Sequence, residues 1–200
     1  MVPVGYEPDL YVNGVDEDPS KWRGTTDDYK AMWKNFVRIF NDEGVDNVVW
    51  IMDYSFNIRL DGGAEAAAEL WPEDNVVSWL FFNVFQFTKV SFADMKGDCP
   101  GGLNKIYGDL MDNMDRVPAW NDIPWGLGAW GSNGDNKWLP MSDRERCIDE
   151  VREQLESGDY PKLKAAVSFN SLGSRIDETL SPELIPNFEA LMSSPAFYDE

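Results

Sequence analysis

An α/β chain with a parallel sheet is the fold class that the sequence predicts, and three observations carry that expectation. Short apolar runs rich in Val, Ile, Phe and Trp recur along the chain, for example "NVVWIMDYS" (47–55) and "NVVSWLFFNVFQ" (75–86). Each is apolar almost throughout, as a strand covered on both faces must be. Between them stand amphipathic segments with helical periodicity. The resulting order, β-α-β-(α)-β-α-β-α-β-α, is that of parallel strands joined by crossover helices.

The elements follow in sequence. "VPVGYE" (2–7) reads as a first short strand. "TTDDYKAMWKNFVRIFNDEG" (25–44) is the clearest helix, with Thr26 as its expected N-cap and Asp27 and Asp28 favouring its positive end. Tyr29, Met32, Trp33, Phe36, Val37 and Phe40 share one face, and Gly44 is placed to end it. After the strand 47–55 an Ala-rich stretch reads as a loop or short helix, and the strand 75–86 follows. "GLNKIYGDLMDNMDR" (102–116) reads as a helix, with Leu103, Ile106, Tyr107, Leu110 and Met114 on one side. "PWGLGAWG" (124–131) is a strand that emerges into a polar, Gly-rich loop. "MSDRERCIDEVREQLESG" (141–158) carries an expected capping box, Ser142 with Glu145, an inward face of Ile148, Val151 and Leu155, and Gly158 to close it. "KAAVSFNS" (164–171) is a further strand. "SPELIPNFEALMSS" (181–194) is a last helix, with Ser181 as expected N-cap, Pro182 at the first position, and Pro186 breaking or tightening the first turns. A doubly wound sheet and a piece of a (β/α)8 barrel both fit this order. "PGGLNK" (100–105) matches neither the Rossmann nor the P-loop spacing, so no nucleotide cofactor is expected.

Composition narrows the chemistry. The 200 residues are 43% hydrophobic and 14% aromatic, enough for a sizeable core. The net charge of −19 argues against nucleic acid or an anionic membrane as partner, since both are bound through Lys and Arg. Carbohydrate and cationic ligands stay open. There is no histidine, which excludes a Ser-His-Asp triad, a Cys-His dyad and any His-ligated metal. Acid/base work falls to Asp, Glu, Tyr, Lys or Cys. Cys99 and Cys147 are too far apart for a CxxC motif; they form one disulfide or stay as two separate thiols. "NGVDEDPS" (13–20) and "NGDN" (133–136) hold potential calcium ligands but lack the EF-hand spacing, and read as solvated loops. No metal site is expected. The longest apolar run, Trp79 to Phe87, is too short to span a bilayer. "MVPVGYEPDL" has no basic segment followed by an apolar one, so no signal peptide is read there.

Five pieces in order resemble the second half of a (β/α)8 glycoside hydrolase, most closely the family 26 β-mannanase-like enzymes. "VGYEPD" (4–9) resembles the strand end where an aromatic residue or His precedes the acid/base Glu. "YKAMWKNFVRIFNDEGVDNVVWIMD" (29–53) resembles the helix and fifth strand that follow. "LWPEDNVVSWLFFNVF" (70–85) resembles the entry to the sixth strand. "IPWGLGAWGS" (123–132) resembles the seventh strand, which normally ends in Glu-aromatic-Gly, and "KAAVSFNS" resembles the eighth. The likeness implies one barrel-like domain over residues 1–200, a (β/α)-barrel fragment corresponding to strands 4–8, without the first three β/α units and with a protein partner completing the barrel. It also implies a β-linked polysaccharide or oligosaccharide as ligand, no cofactor, and an extracellular or secretory setting.

The resemblance distributes roles. Glu7 falls at the acid/base position. Ala129 falls where the nucleophilic Glu would stand, and a methyl cannot attack an anomeric carbon, so impaired or lost catalysis is expected. Asn83 stands where related enzymes often carry an acid, and Tyr54 and Asn83 are expected to contact substrate. Two readings of Asp53 remain open from the residues alone: a carboxylate at a strand exit facing the cleft with Glu7, or an N-cap for the next turn. Asp9 reads as a loop residue. Among the tryptophans, Trp50 and Trp79 read as core, whereas Trp130 and Trp138, beside a polar loop, read as a sugar-stacking surface. The alternative function is a non-catalytic carbohydrate-binding or structural subunit.

Overall fold

The structure is a computed structural model that describes residues 1–12, 24–55, 63–72, 76–86, 101–132, 140–168 and 182–197, without the side chains of 84–86, 101–106, 130–132 and 168. Five parallel strands alternate with helices and follow the chain in the order β1-β2-β3-β4-β5. They are β1 (Val2–Pro3), β2 (Trp50–Tyr54), β3 (Trp79–Gln86), β4 (Trp125–Ser132) and β5 (Leu163–Ser168). The helices are α1 (Thr26–Asp42), α2 (Gly63–Leu70), α3 (Gly101–Asp112), α4 (Met141–Ser157) and α5 (Ile185–Met192). This is the expected α/β class, a partial (β/α) barrel in architecture.

The chain divides into two compact units. The first comprises Met1–Asn83 and Gly108–Gly126. Its sheet register pairs Val2 with Trp50 and Pro3 with Ile51, then Ile51, Met52, Asp53 and Tyr54 with Trp79, Leu80, Phe81 and Phe82. All five residues of β2 are buried, Asp53 included, as a segment apolar almost throughout leads one to expect. Trp33 of α1 meets Trp50 edge-on at 6.1 Å, and Phe82 meets Trp125 at 6.4 Å. The Tyr29 hydroxyl donates to the Val4 carbonyl at 2.9 Å and ties α1 to the chain after β1. Asp109 accepts from the Ala64 amide at 2.7 Å and satisfies one of the free donors at the start of α2. Phe36, expected inward, is exposed on α1.

The second unit comprises Val84–Tyr107 and Leu127–Glu200. Here α4 buries Cys147, Ile148, Val151 and Leu155, and α5 buries Phe188 and Leu191. Asn187 of α5 donates to Asp149 of α4 at 3.1 Å. Tyr107 and Tyr160 meet edge-on at 5.0 Å, and the Tyr107 hydroxyl accepts from the Lys162 amide at 2.9 Å. Cys147 is disulfide-bonded; Cys99 lies outside the described residues.

Several expected boundaries shift for local reasons. The first strand stops at Pro3 instead of continuing to Glu7, because Gly5 (φ 76°) and Glu7 (φ 49°) both turn left-handed. Thr25, not Thr26, caps α1: its hydroxyl accepts from the Asp28 amide at 3.1 Å while Asp28 accepts from the Thr25 amide at 2.9 Å. The Ser142/Glu145 box does not form, since α4 already starts at Met141 after Pro140, which makes no side-chain cap. The last helix starts at Ile185, so Pro186 and not Pro182 occupies its first turn. The loops 13–20 and 133–136 lie outside the described residues.

Gly126 shows how tightly β4 approaches β3. A Cβ built there would stand 2.5 Å from Cε1 of Phe81, a ring itself buried in the sheet interior. Gly126→Ala is expected to cost about 1–3 kcal/mol, the usual penalty of overpacking, and thermal denaturation checks it.

Candidate functional site

The candidate site gathers at the end of β1 and β2 within the first unit. Three carboxyl-bearing residues meet there: Glu7, Asp9 and Asp53. Each is placed by a distinct piece of backbone.

Glu7 follows β1 and precedes a single 3-10 turn, Pro8–Leu10. Its φ of 49° and ψ of 58° put it in the left-handed region, where a residue with a Cβ is strained. Its amide donates to the Asp53 carbonyl at 3.1 Å, and its carbonyl accepts from the Leu10 amide at 3.0 Å. The side chain is half-buried, and Oε1 accepts from Nδ2 of Asn83 at 2.7 Å. The same Asn83 nitrogen donates to the Tyr6 hydroxyl at 3.1 Å. One amide thus holds a carboxyl and a phenol that are neighbours in the chain. Asn83 is itself fully buried on β3, while Tyr6 is 48% exposed.

Asp53 sits on β2 and is 6% exposed. Its Oδ1 is buried without a hydrogen-bond partner among the described residues, as is Oδ1 of Asn83. Asp9, read from the sequence as a loop residue, is fully buried. Its Oδ1 accepts from the Ser55 amide at 2.7 Å, and its Oδ2 accepts from the Ser55 hydroxyl. The carboxylate therefore bridges the turn after Glu7 to the residue just past β2.

Burial dominates the electrostatics. It pushes the Asp53 carboxyl from 3.8 up to about 7, with the neighbouring charges of Glu7 and Asp9 adding to the rise. Burial raises Asp9 to about 6, although the Ser55 hydrogen bonds pull the other way. Glu7 is raised by burial and lowered in part by the Asn83 amide. Tyr6 is raised by burial, then by Glu7 and Asp53, so its phenol keeps its proton. Protonated carboxyls near neutrality are suited to donating a proton to a departing oxygen.

Tyr54 is buried with its hydroxyl donating to the Ala67 carbonyl at 2.6 Å. Ala129 is a buried methyl on β4, in the second unit. The side chain of Trp130 and all of Trp138 lie outside the described residues. Trp50 is core, as expected, and Trp79 is half-buried against Phe81 at 5.7 Å. Sequence reasoning missed Asp9 and Ser55, whose pairing spans 46 positions. The one local signal was the Pro-Asp step after Glu7, which marks a turn but names no partner. Among the described residues no cluster of three or more His, Cys, Asp or Glu fits a metal ion, and no helix is long and apolar enough to cross a membrane.

In fold, the chain resembles a glycoside hydrolase catalytic domain. In particular, it is similar to a solved structure, the catalytic domain of the Bacillus sp. JAMB-750 GH26 endo-beta-1,4-mannanase, with a TM-score of 0.62 and 13% identity over 98% of this chain. The chain spans about half of that structure, 49% of its length. No family model and no curated protein matches the sequence.

The raised Asp53 carboxyl has a consequence for stability. A carboxyl that binds its proton more tightly folded than unfolded favours folding at low pH, and that contribution is lost as pH rises from about 4 to about 7. Asp53→Asn removes the titration. The variant is expected to melt about 2–4 °C above the parent at pH 8, the shift produced by ~1 kcal/mol in a chain this size. The gap should close toward pH 4.5 in a series of melting curves.

Proposed function

We propose that the chain is a glycoside-hydrolase-like protein that binds a β-linked polysaccharide or oligosaccharide through the Glu7 site, with impaired or lost catalysis. The observation that carries this is the Tyr6–Asn83–Glu7 arrangement: a half-buried carboxyl, raised toward its protonated form, held at 2.7 Å by a buried amide beside an exposed aromatic ring. Such a group can protonate a glycosidic oxygen, and the Tyr6 ring offers a face to a sugar. Fold likeness to an endo-beta-1,4-mannanase catalytic domain supports β-1,4-linked mannan as the first ligand to try.

The chemistry beyond proton donation is what the site lacks. Hydrolysis with retention or inversion needs a second, ionised carboxylate across the glycosidic bond. By resemblance Ala129 occupies the nucleophile position and supplies none. Asp53 is held protonated up to about pH 7, and both oxygens of Asp9 are engaged by Ser55. Neither is an open nucleophile. These features favour the binding role over turnover. The five β/α units would correspond to strands four to eight of one barrel-like domain, with a protein partner or further chain supplying the rest. Trp130 and Trp138 would add sugar-stacking surface, and Tyr54 would serve the scaffold.

Calorimetric titration with β-1,4-linked manno- and gluco-oligosaccharides tests the reading. Binding is expected without release of reducing ends, and Glu7→Ala should weaken it about tenfold, ~1.4 kcal/mol. Turnover by the unmodified chain would overturn the loss of catalysis. Absence of binding with both sugars would overturn the carbohydrate reading. A folded Ala129→Glu chain that gains hydrolysis would identify the missing carboxylate.

A further inference from the structure

The structure assigns Asp9 the role of a positioning residue: its buried carboxylate, clamped to Ser55, holds the left-handed turn that presents Glu7 to Asn83. This inference rests on the reading of Glu7 as the ligand-facing group.

The geometry argues it directly. Glu7 adopts a left-handed backbone conformation that is strained for a residue with a side chain, and such a conformation persists only where the surroundings over-determine it. Three hydrogen bonds described between these residues join this turn to the end of β2. The Glu7 amide donates to the Asp53 carbonyl, and Asp9 accepts twice from Ser55, once from the amide and once from the hydroxyl. Two of the three belong to Asp9, only two residues from Glu7. Burying a carboxylate is unfavourable unless its lone pairs are met. A fully buried aspartate that spends both oxygens on one serine is thus a costly way to close a surface turn. The cost becomes intelligible if the turn's shape matters. Without the clamp, Glu7 can relax to an ordinary right-handed or extended conformation, and its carboxyl swings away from Asn83.

Charge and geometry can be separated by two substitutions. Asp9→Ala and Asp9→Asn both delete the negative charge. Only Asp9→Asn keeps the clamp, because its Oδ1 can accept from the Ser55 amide while its Nδ2 donates to the Ser55 hydroxyl. Glu7 ionisation is read by carboxyl carbon NMR titration, assigned with Glu7→Gln, and oligosaccharide affinity is read by calorimetry. Thr25→Ala, which removes the α1 cap, controls for lost stability alone. The expected result is that Asp9→Ala moves the Glu7 midpoint down toward the ordinary carboxylate range and weakens oligosaccharide binding about tenfold. Asp9→Asn should retain the parental midpoint within the shift that charge removal causes, and should bind within about threefold of the parent. Equal behaviour of the two variants would overturn the positioning role and leave Asp9 as a charge or a structural anchor only. If Asp9→Ala unfolds, Ser55→Ala carries the test, since it deletes one of the two clamp bonds and keeps the charge. An unmoved Glu7 midpoint in folded Ser55→Ala would then overturn the role. The NMR readout needs no ligand. Failure of every chain to bind sugar, with the Glu7 midpoint still split between Asp9→Ala and Asp9→Asn, would sink the carbohydrate reading and leave the positioning inference standing.

Discussion

Removing carboxyl groups from water is the constraint on which the rest of the first unit depends. The chain is strongly acidic, and among the described residues most carboxyl-bearing side chains reach solvent, where mutual repulsion is screened. Asp9 and Asp53 do not. They are buried next to a half-buried Glu7, whose charge raises the cost of ionising both, and Asp9 adds to that of Asp53. The fold answers in two ways. Asp9 is satisfied by hydrogen bonds from Ser55. Asp53 has an oxygen without a hydrogen-bond partner among the described residues and stays protonated well above its ordinary range. A site with one satisfied acid, one neutral acid and one exposed enough to meet a ligand follows from that division.

The backbone is shaped around the same division. A strand continued through Glu7 would alternate its side chains across the two faces of the sheet. The left-handed turns at Gly5 and Glu7 end the strand after Pro3 and re-aim the chain instead. Gly5 makes this cheap at its own position, where a Cβ would stand 3.1 Å from the Tyr29 ring. Glu7 has no such freedom, so its conformation must be held by partners. Those partners come from β2, which is buried throughout, and from the buried Asn83 of β3. The strain sits where the chemistry would be, and the support comes from the core.

How much of this could be read from residues alone depended on the range of the interaction. The helices and strands announce themselves through periodicity, which is local: Tyr29 and Trp33 fall inward on α1, and β2 is buried throughout, as their patterns require. The α1 cap was readable too, since Thr25 and Asp28 stand at the capping-box spacing, but the adjacent Thr26 offers the same chemistry one residue on. Asp9 was not readable. A carboxylate beside a proline after a strand has the signature of a solvated turn, and the serine that buries it lies 46 residues away. Glu7 stood out through the family resemblance alone, and Asp53 because it stands near the end of an apolar strand. What joins them, a backbone bond from one to the other and an amide from β3, is set by register, which composition does not encode.

The fold likeness and the site pull in different directions, and the physics of the groups reconciles them. A glycoside-hydrolase-like barrel architecture places strand ends where carboxyl groups can converge, and here it does so with Glu7 and Asp53. Convergence alone does not make a hydrolase. Double displacement needs one acid that is protonated and another that is ionised at the same pH. Environments that differ sharply produce such a pair, a dry pocket for the acid and a wet, hydrogen-bonded one for the nucleophile. In the first unit the gradient runs the wrong way: the deeper carboxyl, Asp53, is the more strongly raised, and the shallower one, Glu7, is eased by Asn83. On the proposed reading, Glu7 would be the proton donor and the exposed Tyr6 ring beside it the face offered to a sugar. The ionised partner must come from outside these three residues, and on β4 the position that resemblance assigns to it is a methyl.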